Sequence, residues 1–272
     1  AMERRFALEG ARVCVLEAAP DILSGASKAN SAILHTGFDA PPGSLELSCM
    51  QDAYDEYMEI REAMNLPVLE TGAMVAAWTE DEEARLPDLL AQAQGNGVTD
   101  TRIISRDEAL AREPALAGHV RGALLVPREH VIDPWSAPLA YATQAKALGA
   151  EFRFNAPLTG ARRDGDTWQL ETGAGSLMAK TVVNCAGLYG DKVEEILTGT
   201  PSFEIRPRKG PFVVVDQAAS QHLRTILLPV PNERTKGVVL TRTAFGNLLV
   251  GPTAEEQEAR DRPDVTTPEL EM

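Results

Sequence analysis

The sequence predicts an α/β fold in which a parallel strand–helix unit is interrupted by a second, mostly antiparallel sheet. Three observations lead there. Residues 2–9 have helical composition, Gly10 stands where a helix would end, and the apolar run 12–16 closes on the acid Glu17. Asp133-Pro134 opens another helical stretch, which ends at Gly149. Short strand-like runs bounded by turn residues fill 151–184 and recur from 203 to 250.

Taken in order, the opening helix, glycine, strand and acid read as the second half of a βαβ dinucleotide-binding unit. Residues 20–43, rich in Gly, Ser, Ala, Pro and Asn, read as loop with at most a short helix. Residues 44–64 carry apolar side chains at three- and four-residue spacing and are expected to be helical. A strand over 66–77 and an amphipathic helix over 80–94 follow. A short helix over 105–113 is introduced by Ser105 with Glu108 three residues on, the capping-box spacing. Residues 120–126 read as a strand, and 133–148 as a helix with Asp133 as its cap. Strands are expected at 151–154, 158–163, 167–172 and 176–184, with Asp164-Gly165 a turn, and a short helix at 193–197. The rest is strand-rich: 212–215, 225–228, 238–241 and 248–250.

Composition narrows the function. A net charge of −14, spread along the chain, is the wrong sign for a nucleic-acid partner. No apolar run reaches the length of a transmembrane segment, and the first residues lack the pattern of a secretion signal, so a cytoplasmic setting is expected. Cys14, Cys49 and Cys185 are too far apart in sequence to suggest a disulfide framework or zinc site, and Cys14 and Cys185 read as buried free thiols. The histidines show no metal-ligand spacing, so no metal site is expected.

Three stretches together resemble the glycerol-3-phosphate and L-2-hydroxyglutarate dehydrogenase branch of the D-amino-acid oxidase superfamily of FAD-dependent oxidoreductases. They are VCVLEAAPDILSGASKANSAILHTGFDAPPGSLE at 13–46, VIDPWSAPLAYATQAKALGAEFRFNAPLTG running on to TVVNCAGLYGDKVEEI at 181–196, and RPRKGPFVVVD at 206–216 followed by GNLLVGPTAEE. The resemblance implies a Rossmann-like FAD-binding domain, formed by residues 1–65 and 131–200. Interleaved with it would be an antiparallel substrate domain formed by 66–130 and 201–272. It also implies a chain truncated at both ends, because the family's first strand and G-x-G-x-x-G turn are not in this sequence.

By the same resemblance, Glu17 would accept hydrogen bonds from the adenosine ribose. Ser27, Lys28 and Asn30 lie in a segment similar to the family's flavin loop, with Ser27 placed to donate to the pyrophosphate. The backbone from Asn30 through Ser31, Ala32 and Ile33 would pass the isoalloxazine ring; family members often carry Gly at the position of Ala32. Leu158, Ala186 and Gly187 would meet the adenosine. His35 is the candidate catalytic group, taking the hydroxyl proton as hydride leaves the adjacent carbon; a hydrogen-bonded scaffold role is the alternative. Asp191 reads as a helix cap. Arg206 and Arg208, with Lys209, form a basic cluster suited to an anionic substrate; an exposed basic edge is an equal reading.

The function implied is an FAD-dependent dehydrogenase or oxidase acting on glycerol 3-phosphate or a small 2-hydroxy acid, with amine oxidation a variant on the same scaffold. Electrons would pass to a quinone, a partner protein or oxygen. The alternative is a non-catalytic remnant, or a partial subunit that cannot hold FAD alone.

Overall fold

A computed structural model describes residues 1–231 and 237–267. By contact the chain divides into two units: residues 1–30, 134–208 and 256–262 in one, and 31–133, 209–255 and 263–272 in the other. The chain thus crosses between units at 30/31, 133/134, 208/209, 255/256 and 262/263, against the 65/66, 130/131 and 200/201 expected from the sequence. The largest difference concerns residues 31–65. Their strand Ile33–Leu34 pairs with His130–Ile132, so they lie with the second unit.

In the first unit, helix Met2–Leu8 packs on helix Ser136–Ala147. Gly10 turns the chain at φ +82° into strand Cys14–Leu16, which pairs in parallel with Glu151–Arg153. Helix Ser136–Ala147 begins later than the Asp133-Pro134 signal suggests. Trp135, not Asp133, is its N-cap residue, and the Trp135 indole donates to Lys28 O at 3.0 Å. Strands Leu158–Asp164, Thr167–Thr172 and Gly175–Ala179 form an antiparallel meander around the Asp164-Gly165 turn.

The strand expected over 176–184 is corrected: it stops at Ala179, where its ladder with Thr167–Thr172 ends at the Trp168↔Ala179 pair. Residues 181–186 pair with no strand among the described residues. That explains a second correction. Cys185 is exposed and Cys14 only half-buried, so neither is the buried thiol its apolar neighbours suggest.

The second unit is built on a seven-stranded sheet with spatial order Val213–Val215, Leu248–Gly251, Val239–Arg242, Ile226–Pro229, Ala73–Ala77, Gly122–Val126, Arg102–Ser105. Every neighbouring pair is antiparallel except Ile226–Pro229 with Ala73–Ala77. The central strands read as unbroken apolar runs because both faces are covered. On one face Ala73, Val75, Ala77, Leu124 and Val126 meet Leu86, Leu89 and Ala93 of helix Glu80–Gly95. On the other, Met74, Ala123 and Leu125 meet Ile104 and Ala109. Each Leu or Val fully buried there contributes about 1.5–3 kcal/mol before the chain entropy it opposes.

Helix Glu80–Gly95 starts at a full capping box, Thr79 with Glu82, and accommodates Pro87 within its length. Helix Leu45–Ile60 starts at Ser44, whose hydroxyl accepts from Leu47 N. Ser105 caps helix Arg106–Arg112 as its spacing predicts. The single strand expected over 66–77 is two, Val68–Leu69 and Ala73–Ala77, parted by Gly72 at φ +64°. The first joins a small sheet with order Ile33–Leu34, His130–Ile132, Val68–Leu69.

Candidate functional site

That small sheet organises a cluster of polar side chains in the second unit. Its antiparallel register pairs Ile33 with Val131 and Leu34 with His130. Continued by one residue, it sets His35 opposite Glu129, and opposed residues of an antiparallel pair project from the same face. The structure bears this out: His35 Nδ1 lies 2.8 Å from Glu129 Oε2. The contact is at ion-pair distance but lacks the alignment of a good hydrogen bond. Both atoms are shielded from solvent.

Glu129 is fully buried, whereas the His35 side chain is one-third exposed. Thr36 holds the other carboxylate oxygen, with its backbone N–H donating to Oε1 at 2.6 Å and its hydroxyl at 2.7 Å. Such a buried carboxylate is tolerable only with several donors around it. Neighbouring His130 projects the opposite way and lies against the Tyr54 ring, 6.2 Å between centroids. Burial lowers its pKa, which keeps it neutral near pH 7.

The chain leading into and out of His35 is held in an uncommon shape. Ala32, buried, adopts φ +54°, a left-handed conformation that side chains with a Cβ seldom take. Its carbonyl accepts from Ile132 N at 2.8 Å, extending the ladder. Gly37 follows at φ +84°. Asn96, buried just beyond helix Glu80–Gly95, donates to Gly37 O at 2.8 Å and Ala40 O at 2.9 Å, and Gln92 also donates to Ala40 O. The segment bearing His35 is thus fixed on both sides by the second unit's own residues.

In the first unit, Glu17 follows strand Cys14–Leu16, and its Oε1 accepts from Ala19 N at 2.8 Å. Its Oε2 has no hydrogen-bond partner among the described residues and remains available for a ligand hydroxyl. Ser27 and Lys28 lie in the short 3₁₀ turn Ala26–Lys28, and the Asn30 side chain donates to Ser27 O at 2.9 Å. Leu158 opens the first meander strand. Asn184 shapes the turn after it, accepting from Ala186 N and donating to Gly190 O. Gly187 stands at φ +55°, and a Cβ placed there or at Gly25 would meet nothing within 4 Å. Both backbones are therefore open to close approach by a flat ligand.

Asp191 is not a cap; its carboxylate is the buried partner of Arg260. Arg206 and Arg208 are exposed and face carboxylates, Glu204 at 3.5 Å and Glu256 at 3.0 Å. Lys209, assigned to the second unit, donates to Asp264 O. The structure therefore places Ile33 in the small sheet with Ala32 and His35 at the two ends of its strand, and Glu17, Ser27 and Lys28 in one unit. Thr36, Glu129 and Asn96 are the members sequence reasoning missed. Among the described residues no group of His, Cys, Asp or Glu is placed to hold a metal ion, and no helix is long and apolar enough to cross a membrane.

With this fold and these side chains in view, the chain belongs to the FAD dependent oxidoreductase family, whose model matches residues 4–272. It is similar to the glycerol 3-phosphate dehydrogenase of Caloramator mitchellensis, 31% identical over 244 residues, which are 90% of this chain and 51% of that protein. The L-2-hydroxyglutarate dehydrogenase of Indibacter alkaliphilus is 28% identical over 247 residues, 89% of this chain and 61% of the relative. The chain therefore spans between half and three fifths of these relatives. Among solved structures, the FAD-bound L-alpha-glycerophosphate oxidase of Mycoplasma pneumoniae superposes with a TM-score of 0.86 over 95% of this chain and 70% of that one. At 24% identity that likeness speaks to the fold. The L-proline dehydrogenase of P. horikoshii gives the same TM-score, 0.86, at 19% identity, covering 99% of this chain and 70% of that one. These superpositions agree with an α/β fold carrying a mostly antiparallel sheet.

Proposed function

We propose that this chain is part of an FAD-dependent dehydrogenase or oxidase that oxidises the CH–OH group of a small anionic hydroxy substrate, such as glycerol 3-phosphate or a 2-hydroxy acid. The observation that carries the reading is His35, a one-third-exposed imidazole backed by the buried Glu129 carboxylate in a segment of fixed conformation. Similarity to relatives named for those two substrates supports the choice of class.

The residues present fit the cofactor. Glu17 offers an open carboxylate oxygen for the ribose hydroxyls, and Gly25 and Gly187 leave empty the space a Cβ would fill. By the resemblance, Glu17, Leu158, Ala186 and Gly187 would hold the adenosine half, Ser27, Lys28 and Asn30 would serve the pyrophosphate, and the backbone of Ser31, Ala32 and Ile33 would serve the ring. When bound, FAD supplies the redox chemistry by accepting hydride. His35 takes the substrate hydroxyl proton, and its backing carboxylate stabilises the imidazolium that results. Arg206 and Arg208 would bind the substrate anion by exchanging Glu204 and Glu256 for it, a two-toothed pairing suited to carboxylate or phosphate. Three free cysteines accord with a cytoplasmic, reducing setting. The electron acceptor is a quinone, a partner protein or oxygen.

The test is the flavin content of the full-length protein. A yellow protein releasing FAD on denaturation is expected, with Glu17→Ala weakening FAD binding at least about tenfold while leaving the fold intact. A colourless, stably folded protein that fails to take up added FAD would instead support a non-catalytic remnant.

A further inference from the structure

We propose that Glu129 is the positioning residue for His35, fixing the imidazole with its proton on Nδ1 so that Nε2 is the basic nitrogen. The effect on turnover rests on the catalytic reading of His35 above; the tautomer does not.

Glu129 is fully buried, and its Oε1 is taken by two donors from Thr36, the backbone N–H and the hydroxyl. An ionised carboxylate is acceptor-only, so both Thr36 contacts are satisfied with the acid in its charged form. Its Oε2 accepts no hydrogen bond, and the imidazole Nδ1 lies 2.8 Å from it. Two acceptors cannot share that gap without repulsion. A proton on Nδ1 removes the conflict, and in the neutral ring Nε2 is then the unprotonated nitrogen. The backbone enforces the arrangement, because the Ile33↔Val131 and Leu34↔His130 register sets His35 across from Glu129. Thr36 is the adjoining residue, so one short segment carries both the ring and the donors that orient its carboxylate.

Glu129→Gln makes a sharp prediction. The two Thr36 donors select the oxygen end of the new amide, which turns its NH2 toward the imidazole. Nδ1 must then accept, and the ring proton moves to Nε2. The side chain keeps its size and the site its packing, yet the base nitrogen is blocked.

The experiment is nitrogen-15 NMR of histidine-labelled full-length protein with its flavin bound and again without it. The spectrum of His35→Gln identifies the signal that matters. The native protein is expected in the Nδ1–H form, Glu129→Gln in the Nε2–H form, and Glu129→Asp back in the Nδ1–H form. In the flavin-loaded enzyme, Glu129→Gln is expected to slow reduction by substrate at least about 100-fold, with substrate affinity changed less than about threefold. An Nε2–H tautomer in the native protein overturns the proposal, as does an unchanged tautomer in Glu129→Gln. If Glu129→Gln does not fold, the native spectrum and Glu129→Asp still decide. If His35→Gln keeps full activity, the catalytic reading falls while the tautomer result stands or fails by itself.

Discussion

Arg260 grips Asp191 with two nitrogens, Nη1 2.6 Å from Oδ1 and Nη2 2.7 Å from Oδ2, in a contact almost closed to solvent. The same guanidinium donates to the carbonyls of Leu188 and Ile205, while Asp191 accepts from the backbone N–H groups of Lys192 and Ile205. One pair thus fastens segment 256–262 to the start of helix Gly190–Thr198 within the first unit.

That pair sets an acid limit. The Arg260 hydrogen bond, above all, holds the Asp191 carboxyl well below the usual carboxylate range. A depressed folded-state pKa means that the unfolded chain binds the proton first as pH falls. The stabilisation is therefore complete above about pH 4, the unfolded aspartate value, and is lost progressively below it. Asp191→Asn should lower the melting temperature at pH 7 and flatten its fall between about pH 4 and pH 2; equal slopes in the two proteins would refute this. The Glu108 carboxyl is also held low, at about 2, by Arg102 and Arg112, but its pairs are exposed and salt should screen them.

The conformation around His35 yields two opposite substitutions. Ala32 stands at φ +54°, so Ala32→Gly removes left-handed strain at the expense of a more flexible unfolded chain. A net gain of up to about 1 kcal/mol is expected. Gly37→Ala adds strain at φ +84° and brings a Cβ to 2.7 Å from Leu47 Cδ1, for a loss of about 1–3 kcal/mol. Chemical denaturation of both variants checks the signs; destabilisation by Ala32→Gly would contradict the left-handed assignment.

Asn96→Ala removes one of two donors from each of two carbonyls, leaving Gly37 O with the backbone N–H of Ala40 and Ala40 O with the Gln92 amide. A loss of about 0.5–1.5 kcal/mol is expected, with faster amide exchange over residues 36–40. Exchange unchanged in that segment would show that the loop holds itself.

Much of this was readable in the residues. The Ser105 cap, three residues before Glu108, marks a start that the structure reproduces, because capping depends on a few adjacent side chains. The central strands of the large sheet, such as Gly122–Val126, are legible as apolar runs. The His35–Glu129 pair is not, since strands of two and three residues carry too little periodicity to reveal a register. Asn96 is equally hidden: an asparagine after a helix reads as a stop signal, and only the fold brings residues 37–40 to its amide. Residues 181–184 mislead in the other direction. Their apolar pattern is that of a buried strand, but pattern alone cannot supply the neighbour that a ladder needs.

The most direct measurement is anaerobic addition of glycerol 3-phosphate, and separately of L-2-hydroxyglutarate, to the full-length protein while its visible spectrum is recorded. Bleaching of the oxidised flavin band by one of the two, slowed at least about 100-fold in His35→Gln, is the expected result. A bound flavin that neither compound reduces, but that an amine substrate does, would contradict the assignment to CH–OH oxidation.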